Sequence, residues 1–143
     1  MNIAKEVDIL PISKNNISDV IDILQSVSKY KPSYSSVLET WNNFSNQSNY
    51  YGLVAIHNGT VVGYGSIFFI IKIRGGKMGQ IDEIATHKDF RMKGIGKLIL
   101  SNLYDLAVKE RCYKITLTCK EFNIQFYQNQ KFILDGFHLN KIL

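Results

Sequence analysis

Residues 91–100 read RMKGIGKLIL, with three cations, Arg91, Lys93 and Lys97, around two glycines, Gly94 and Gly96, at the start of an apolar helical period. A helix N-terminus offers unpaired N–H groups and the positive end of its dipole, and glycine lets an anion approach the backbone closely. The loop, completed by Met92 and Ile95, therefore predicts an anion cradle. A P-loop is excluded because Gly96-Lys97 is followed by Leu98 and no glycine stands five residues before Gly96. A dinucleotide fingerprint is excluded because Ile99 occupies the third glycine position, late in the chain. A pyrophosphate fits, and a glycine-rich helix start that binds nothing stays open from the loop alone. Two further groups carry chemistry. Asp82 and Glu83 are adjacent in IDEIAT, where strand alternation places them on opposite faces. Asn123 and Tyr127 are four apart in a helical stretch, which puts them on one face.

These residues need elements to hold them. A short strand is expected within residues 3–11. Ile17, Val20, Ile21, Ile23, Leu24 and Val27 recur at helical spacing, and Val37, Leu38, Trp41 and Phe44 mark a second helix. YYGLVAIH and TVVGYGSIFFIIKI flank Asn58-Gly59, a strong signal for a two-residue hairpin. Gly75-Gly76 turns the chain into a third strand, MGQIDEIAT. A helix from Gly94, a strand YKITLTC, a short helix FNIQFYQNQ and a final strand FILDGFHLNKI complete the order. This is an α+β pattern with one late βαβ unit.

At 143 residues and 45% hydrophobic content, one domain over residues 1–143 is expected. No apolar run approaches the roughly 20 residues that cross a bilayer, and the start lacks a secretory h-region, so a cytoplasmic protein without a membrane span is expected. The 17 Lys and Arg against 12 Asp and Glu give +5, which favours an anionic ligand, but no basic block suggests nucleic acid. Cys112 and Cys119 are seven apart in a strand and point to opposite faces, so no disulfide is expected between them. His57, His87 and His138 lack ligand spacing, and no metal is expected.

The run Arg91-x-x-Gly94-x-Gly96, then helix, strand, Asn123-x-x-x-Tyr127 and a terminal strand, resembles the GNAT superfamily of acyl-CoA-dependent N-acetyltransferases. GQIDEIAT and CYKITLTCKEFNIQFYQNQKF resemble more specifically its glucosamine-6-phosphate N-acetyltransferase branch, strongly over residues 79–132. The resemblance implies the GNAT fold, a mixed and mainly antiparallel twisted sheet of six to seven strands flanked by about four helices. It implies that acetyl-CoA is bound by Arg91, Met92, Lys93, Gly94, Ile95, Gly96, Lys97 and Asn123, with Ile84, Ala85 and Thr86 pairing along its pantetheine arm. It implies that Tyr127 faces the CoA sulfur and protonates the thiolate, while Asp82 or Glu83 handles the amine proton or bonds the sugar. Tyr113 and Lys114 are implied to meet the sugar phosphate, with Lys72 and Arg74 as further charge. The product would be N-acetylglucosamine 6-phosphate for UDP-GlcNAc synthesis, made by direct attack within a ternary complex, in a homodimer.

Departures from the family pattern keep the acceptor open. The family order is Glu-Asp where this chain has Asp82-Glu83, and Thr118 stands where the family has an aspartate. Thr118 can hydrogen-bond the substrate but cannot take a proton. Lys131 stands where glycine is expected before Phe132, and Lys141 is the nearest substitute for a terminal basic residue. Another amine acceptor (a polyamine, a protein N-terminus or a lysine) and a CoA-binding module without catalysis are the alternatives.

Overall fold

A computed structural model describes residues 3–143. Its sheet is built from β1 (Asp8–Pro11), β2 (Tyr50–His57), β3 (Thr60–Ile71), β4 (Lys77–Thr86) and β5 (Lys114–Leu117), in the spatial order of the chain. The first four pair antiparallel, and β5 joins β4 parallel through the crossover helix α3 (Ile95–Lys109). Helices α1 (Ile17–Leu24) and α2 (Val37–Ser45) follow β1, and the short α4 (Ile124–Asn129) follows β5. The architecture is the expected mixed α+β fold with four α-helices.

Two apolar clusters lie on opposite faces of the sheet. On one face α3 presents Ile95, Ile99, Leu100, Leu103 and Ala107 to Ala55, Val62, Ile67, Phe69 and Ile81. Burying each large aliphatic side chain there contributes about 1.5–3 kcal/mol, so this helix is the main anchor of the crossover. The other face packs Val20 and Ile23 of α1 on Val54, Val61, Tyr64 and Ala85. The apolar spacing of residues 17–27 is realised only as far as Leu24, because Gln25 folds its amide back onto the Ile21 carbonyl at 3.0 Å and the Tyr30 carbonyl at 3.3 Å.

The approach of α3 depends on two glycines in β3. A Cβ at Gly63 would lie 2.8 Å from Ile99 Cδ1, and one at Gly65 would lie 2.4 Å from Ile99 Cγ2 and 3.1 Å from Leu103 Cδ1. The sequence pattern marks these glycines as members of a strand and leaves their packing role unread.

The sheet has five strands among the described residues, fewer than the six to seven expected. The missing strand is FILDGFHLNKI. After α4 the chain turns at Lys131, which adopts a left-handed φ of 72°, and again at Gly136, with φ 97°. Beyond Lys131 it forms no ladder with β5, although Ile133, Phe137, Leu139 and Ile142 are exposed apolar side chains. An extended apolar segment becomes a strand only when an adjacent edge takes up its N–H and C=O groups. Among the described residues no edge does so.

Gly65→Ala tests the close approach. Ile99 is wholly buried and β-branched, so it cannot swing clear of the new methyl group. A loss of about 1–3 kcal/mol is expected, read as a lower midpoint in urea unfolding, and unchanged stability would contradict the packing.

Candidate active site

The site begins at an irregularity in the ladder. Ile67 pairs with Ile81 and Gly65 with Ile84, so Asp82 and Glu83 together stand opposite the single residue Ser66. Two residues against one is a β-bulge, and it breaks the alternation that would send neighbours to opposite faces. Ile81 and Ile84 both pack on the α3 face, while Ala85 packs on the α1 face. Both carboxylates therefore emerge on the α1 face. This corrects the expectation that Asp82 and Glu83 face opposite sides of the sheet.

The two acids differ in surroundings. Asp82 is exposed, and Tyr50 donates its phenol hydrogen to Asp82 Oδ2 at 2.5 Å. Glu83 is half-buried, and burial first, then the charge of Asp82, pushes its carboxyl above the usual glutamate range. A carboxylate whose pKa is raised in this way is a stronger base than an ordinary glutamate, which suits a proton acceptor. Ser66 lies beneath them, fully buried, its Oγ without a hydrogen bond of ordinary geometry. Tyr64 reaches over Gly52 from the same face, and its phenol is kept protonated by burial.

At the same point the sheet parts. The ladder between β4 and β5 ends at Ile81 opposite Leu117, whereas β4 continues to Thr86. Among the described residues no strand pairs with that edge beyond Ile81, so the edge of Ile84, Ala85 and Thr86 is open for an extended ligand to add as a strand. Directly after it comes the glycine loop. Met92 and Gly94 take left-handed φ values of 60° and 84°, and Gly94 begins α3, with Leu98 N–H the first to bond back, to the Gly94 carbonyl at 3.1 Å. The N–H groups of Ile95, Gly96 and Lys97 thus precede the intrahelical ladder, as an anion cradle requires. Arg91 donates Nε–H to the Thr86 carbonyl at 3.4 Å, Lys93 lies 5.5 Å over the Phe90 ring, and Met92 and Lys97 are exposed.

Helix α4 closes on this loop. A Cβ at Gly96 would meet Phe126 Cζ at 3.6 Å and Thr86 Oγ1 at 3.9 Å, which brings α3, β4 and α4 to one point. The next residue, Tyr127, is half-buried with its ring 5.9 Å from Phe132, and burial first, then Cys119, raises its phenol above the ordinary range. Such a phenol stays protonated and can donate. Asn123 precedes α4, exposed and without a capping hydrogen bond.

At the other end of β5, Lys114 and Thr116 share the carboxylates' face, since Ile115 and Leu117 pack towards α3. Thr116 Oγ1 donates to Gln80 Oε1 at 2.6 Å. The Tyr113 phenol is held below its ordinary pKa by an Arg74 hydrogen bond first and by the charges of Lys114, Arg74 and Lys72, so four residues from the β3–β4 turn and β5 converge on one cationic corner. A cleft of about 720 Å³ runs from Tyr113 and Lys114 past Thr118 to Tyr127. Asp82 and Glu83 are not in its lining. The sequence pattern missed Tyr50, Tyr64 and Ser66, because only the bulge brings them to the carboxylates. Among the described residues, no three His, Cys, Asp or Glu side chains converge to hold a metal ion.

A parallel strand parting from its neighbour beside a bulge, with a glycine-led helix at the opening, defines an acetyltransferase of the acyl-CoA-dependent class. The Acetyltransferase (GNAT) family model matches residues 18–132, and the chain belongs to that family. The chain is 31% identical to glucosamine 6-phosphate N-acetyltransferase 1 of Dictyostelium discoideum, over 83% of this chain and 79% of that protein. It is 33% identical to the glucosamine 6-phosphate N-acetyltransferase of Schizosaccharomyces pombe, over 66% of this chain and 88% of that one. The crystal structure of the Arabidopsis thaliana glucosamine-6-phosphate N-acetyltransferase superposes with a TM-score of 0.87 at 20% identity, covering 95% of this chain and 97% of the other. Acetyltransferases of this family use acetyl-CoA.

The raised carboxyl of Glu83 predicts a stability effect. Between the ordinary glutamate pKa and the raised one, the folded protein holds a proton that the unfolded chain has released, so stability falls as pH rises through that window. Glu83→Gln removes the cost of the ionised form. Thermal unfolding at neutral pH should show a higher midpoint for the variant, with the difference shrinking as pH is lowered to 4. A variant less stable than the parent at neutral pH would contradict the burial of this charge.

Proposed function

We propose that the protein transfers the acetyl group of acetyl-CoA to the amine of glucosamine 6-phosphate, giving N-acetylglucosamine 6-phosphate for UDP-GlcNAc synthesis in the cytoplasm. The observation that carries the transfer chemistry is the open β4 edge between two carboxylates and the N-terminus of α3. The names of the relatives carry the acceptor. On this reading residues 1–143 form one catalytic domain.

Acetyl-CoA supplies an acyl group activated as a thioester. The N–H groups of Ile95, Gly96 and Lys97, with the charges of Arg91 and Lys93, hold its pyrophosphate, and Met92 and Gly94 shape the turn. The backbone of Ile84, Ala85 and Thr86 aligns the pantetheine and turns an N–H towards the thioester oxygen, where charge develops during attack. Asn123 orients the arm from the α4 side. The sugar amine attacks in its neutral form, a carbon–nitrogen bond forms and the carbon–sulfur bond breaks. The nitrogen's proton passes to the carboxylate pair, and Tyr127 donates its phenol proton to the departing thiolate. Tyr113 and Lys114, backed by Lys72 and Arg74, answer the sugar phosphate. Lys114 stands level with Met78 in the register, four residues from Asp82 and so roughly 13 Å away along the strand, a gap that the sugar and the lysine side chain span together.

Thr118 supports a second reading, in which the acceptor is a different amine. It lies in the cleft where the family has an aspartate, and a hydroxyl cannot offset an ammonium charge. Thiol release from acetyl-CoA separates the two readings. Turnover with glucosamine 6-phosphate is expected, and turnover only with other amines would remove that acceptor while leaving the family intact. Tyr127→Phe should lower kcat by about 10²-fold with little change in KM for acetyl-CoA, and an equal loss of cofactor affinity would contradict a leaving-group role.

The homodimer belongs to the same proposal. The outer edge of β5 and the apolar residues Ile133, Phe137, Leu139 and Ile142 are the unpartnered surfaces that a second copy would cover. Sedimentation should give a particle of twice 16.4 kDa, and Leu139→Asp should shift it to the monomer. A monomeric parent protein would overturn the dimer.

A further inference from the structure

Tyr50 lies outside every motif of the sequence, yet it crosses the width of β3 to reach the site. Its strand pairs with β3, with Tyr50 opposite Phe68 and Gly52 opposite Ser66, and its hydroxyl extends past Ser66 to Asp82 Oδ2 at 2.5 Å. The ring is fixed from two sides, edge-on by Phe44 at 5.0 Å and by Phe68 at 5.4 Å. An ionised carboxylate only accepts, so the phenol is the donor. Burial first, then Asp82, keeps that phenol protonated far above neutral pH. Among the described residues no donor meets the Glu83 carboxyl. Facing Glu83 are Asp82 beside it and the phenol of Tyr64, while α1 brings Val20 and Ile23 to this part of the sheet. Ser66 lies under the group with its hydroxyl between the Tyr50 and Tyr64 phenols.

We propose that Tyr50 is a positioning residue that divides the work of the two carboxylates: its hydrogen bond fixes the Asp82 side chain in place and leaves Glu83 as the carboxylate free to take the proton of the acceptor amine. The proposal rests on the transfer chemistry given above and deepens it. Burial already sets Glu83 apart from the exposed Asp82, and the phenol adds a second difference by holding one side chain and not the other. Among the described residues the phenol meets Asp82 alone, so Asp82 has an acceptor position engaged while the Glu83 oxygens are free to receive a proton. The Asp82 anion then disfavours charge on Glu83, which makes Glu83 the stronger base. Without the phenol, the Asp82 side chain is free to turn towards the amine and compete with Glu83 as the acceptor.

The test is Tyr50→Phe, which removes one oxygen and keeps both ring contacts. In steady-state assays with glucosamine 6-phosphate, kcat should fall about tenfold, the worth of one hydrogen bond to a charged group, with KM for acetyl-CoA unchanged. Glu83→Gln should cost at least tenfold less in the Tyr50→Phe background than in the parent, since Asp82 can then substitute. Equal costs in both backgrounds would overturn the division of roles. A readout free of the acceptor separates this from failure of the proposed reaction. The ¹³C signal of the Glu83 side-chain carboxyl, followed against pH in the full-length protein, should titrate above the ordinary glutamate range in the parent and move towards it in Tyr50→Phe. No movement would overturn the proposal even if the enzyme acetylates the sugar. Movement in a protein that ignores glucosamine 6-phosphate would support it for another amine.

Discussion

The bulge that sets Asp82 and Glu83 against Ser66 governs more of this molecule than any other feature. A regular ladder would send one carboxylate into the apolar layer under α3, where an unpaired charge is prohibitively costly. One extra residue in β4 turns both acids to the other face and still returns Ile84 to the α3 side and Ala85 to the α1 side. Bulges also bend the strand that carries them, and here the ladder to β5 stops directly before the bulge, at Ile81 opposite Leu117. The open edge and the paired acids are thus consequences of one local irregularity. Ser66, the residue opposite it, is small, buried and polar, which leaves room for both side chains to pass overhead.

A bulge is useful only if the sheet around it is rigid, and the rigidity comes from α3. Gly63 and Gly65 bring Ile95, Ile99 and Leu103 close to the sheet on one side, while the first-turn N–H groups of the same helix lie at the end of β4 ahead of the intrahelical ladder. One helix therefore both clamps the sheet next to the bulge and presents its N-terminus beside the open edge of β4. Its N-terminus is fixed by Gly94 in a left-handed conformation and by the Ile3 N–H bonded to the Lys93 carbonyl at 3.2 Å. Phe126 at Gly96 then ties α4, and with it Tyr127, to the same clamp.

Much of this was legible in the residue pattern, and the misses share a cause. Helix α3, the Asn58-Gly59 hairpin and the strand IDEIAT follow from periodicity and turn chemistry, which are local. The faces of Asp82 and Glu83 do not, because a bulge depends on the partner strand. Tyr50 reads as one aromatic in a β-rich run until its cross-strand register with Phe68 is known. The C-terminal run FILDGFHLNKI has strand composition, but composition reports what a segment favours, not whether an edge exists to receive it. Tyr113 and Lys114 are expected at the site from resemblance alone, and their convergence with Arg74 and Lys72 depends on the turn at Gly76, where a Cβ would lie 3.0 Å from the Tyr113 ring.

The electrostatic layout also bears on why the pair reads Asp-Glu. The first position lies at the exposed side of the bulge and meets a phenol fixed by two aromatic rings, so a short carboxylate there has little conformational freedom to lose on being held. The second position is half-buried beside Tyr64 and carries the longer side chain, which can project its carboxyl towards the parted strands while its stem stays covered. Exchanging the two would place the longer acid against the fixed phenol and the shorter one in the recess. The order Asp82-Glu83 thus fits the placement of Tyr50, whose hydroxyl meets the short, exposed carboxylate.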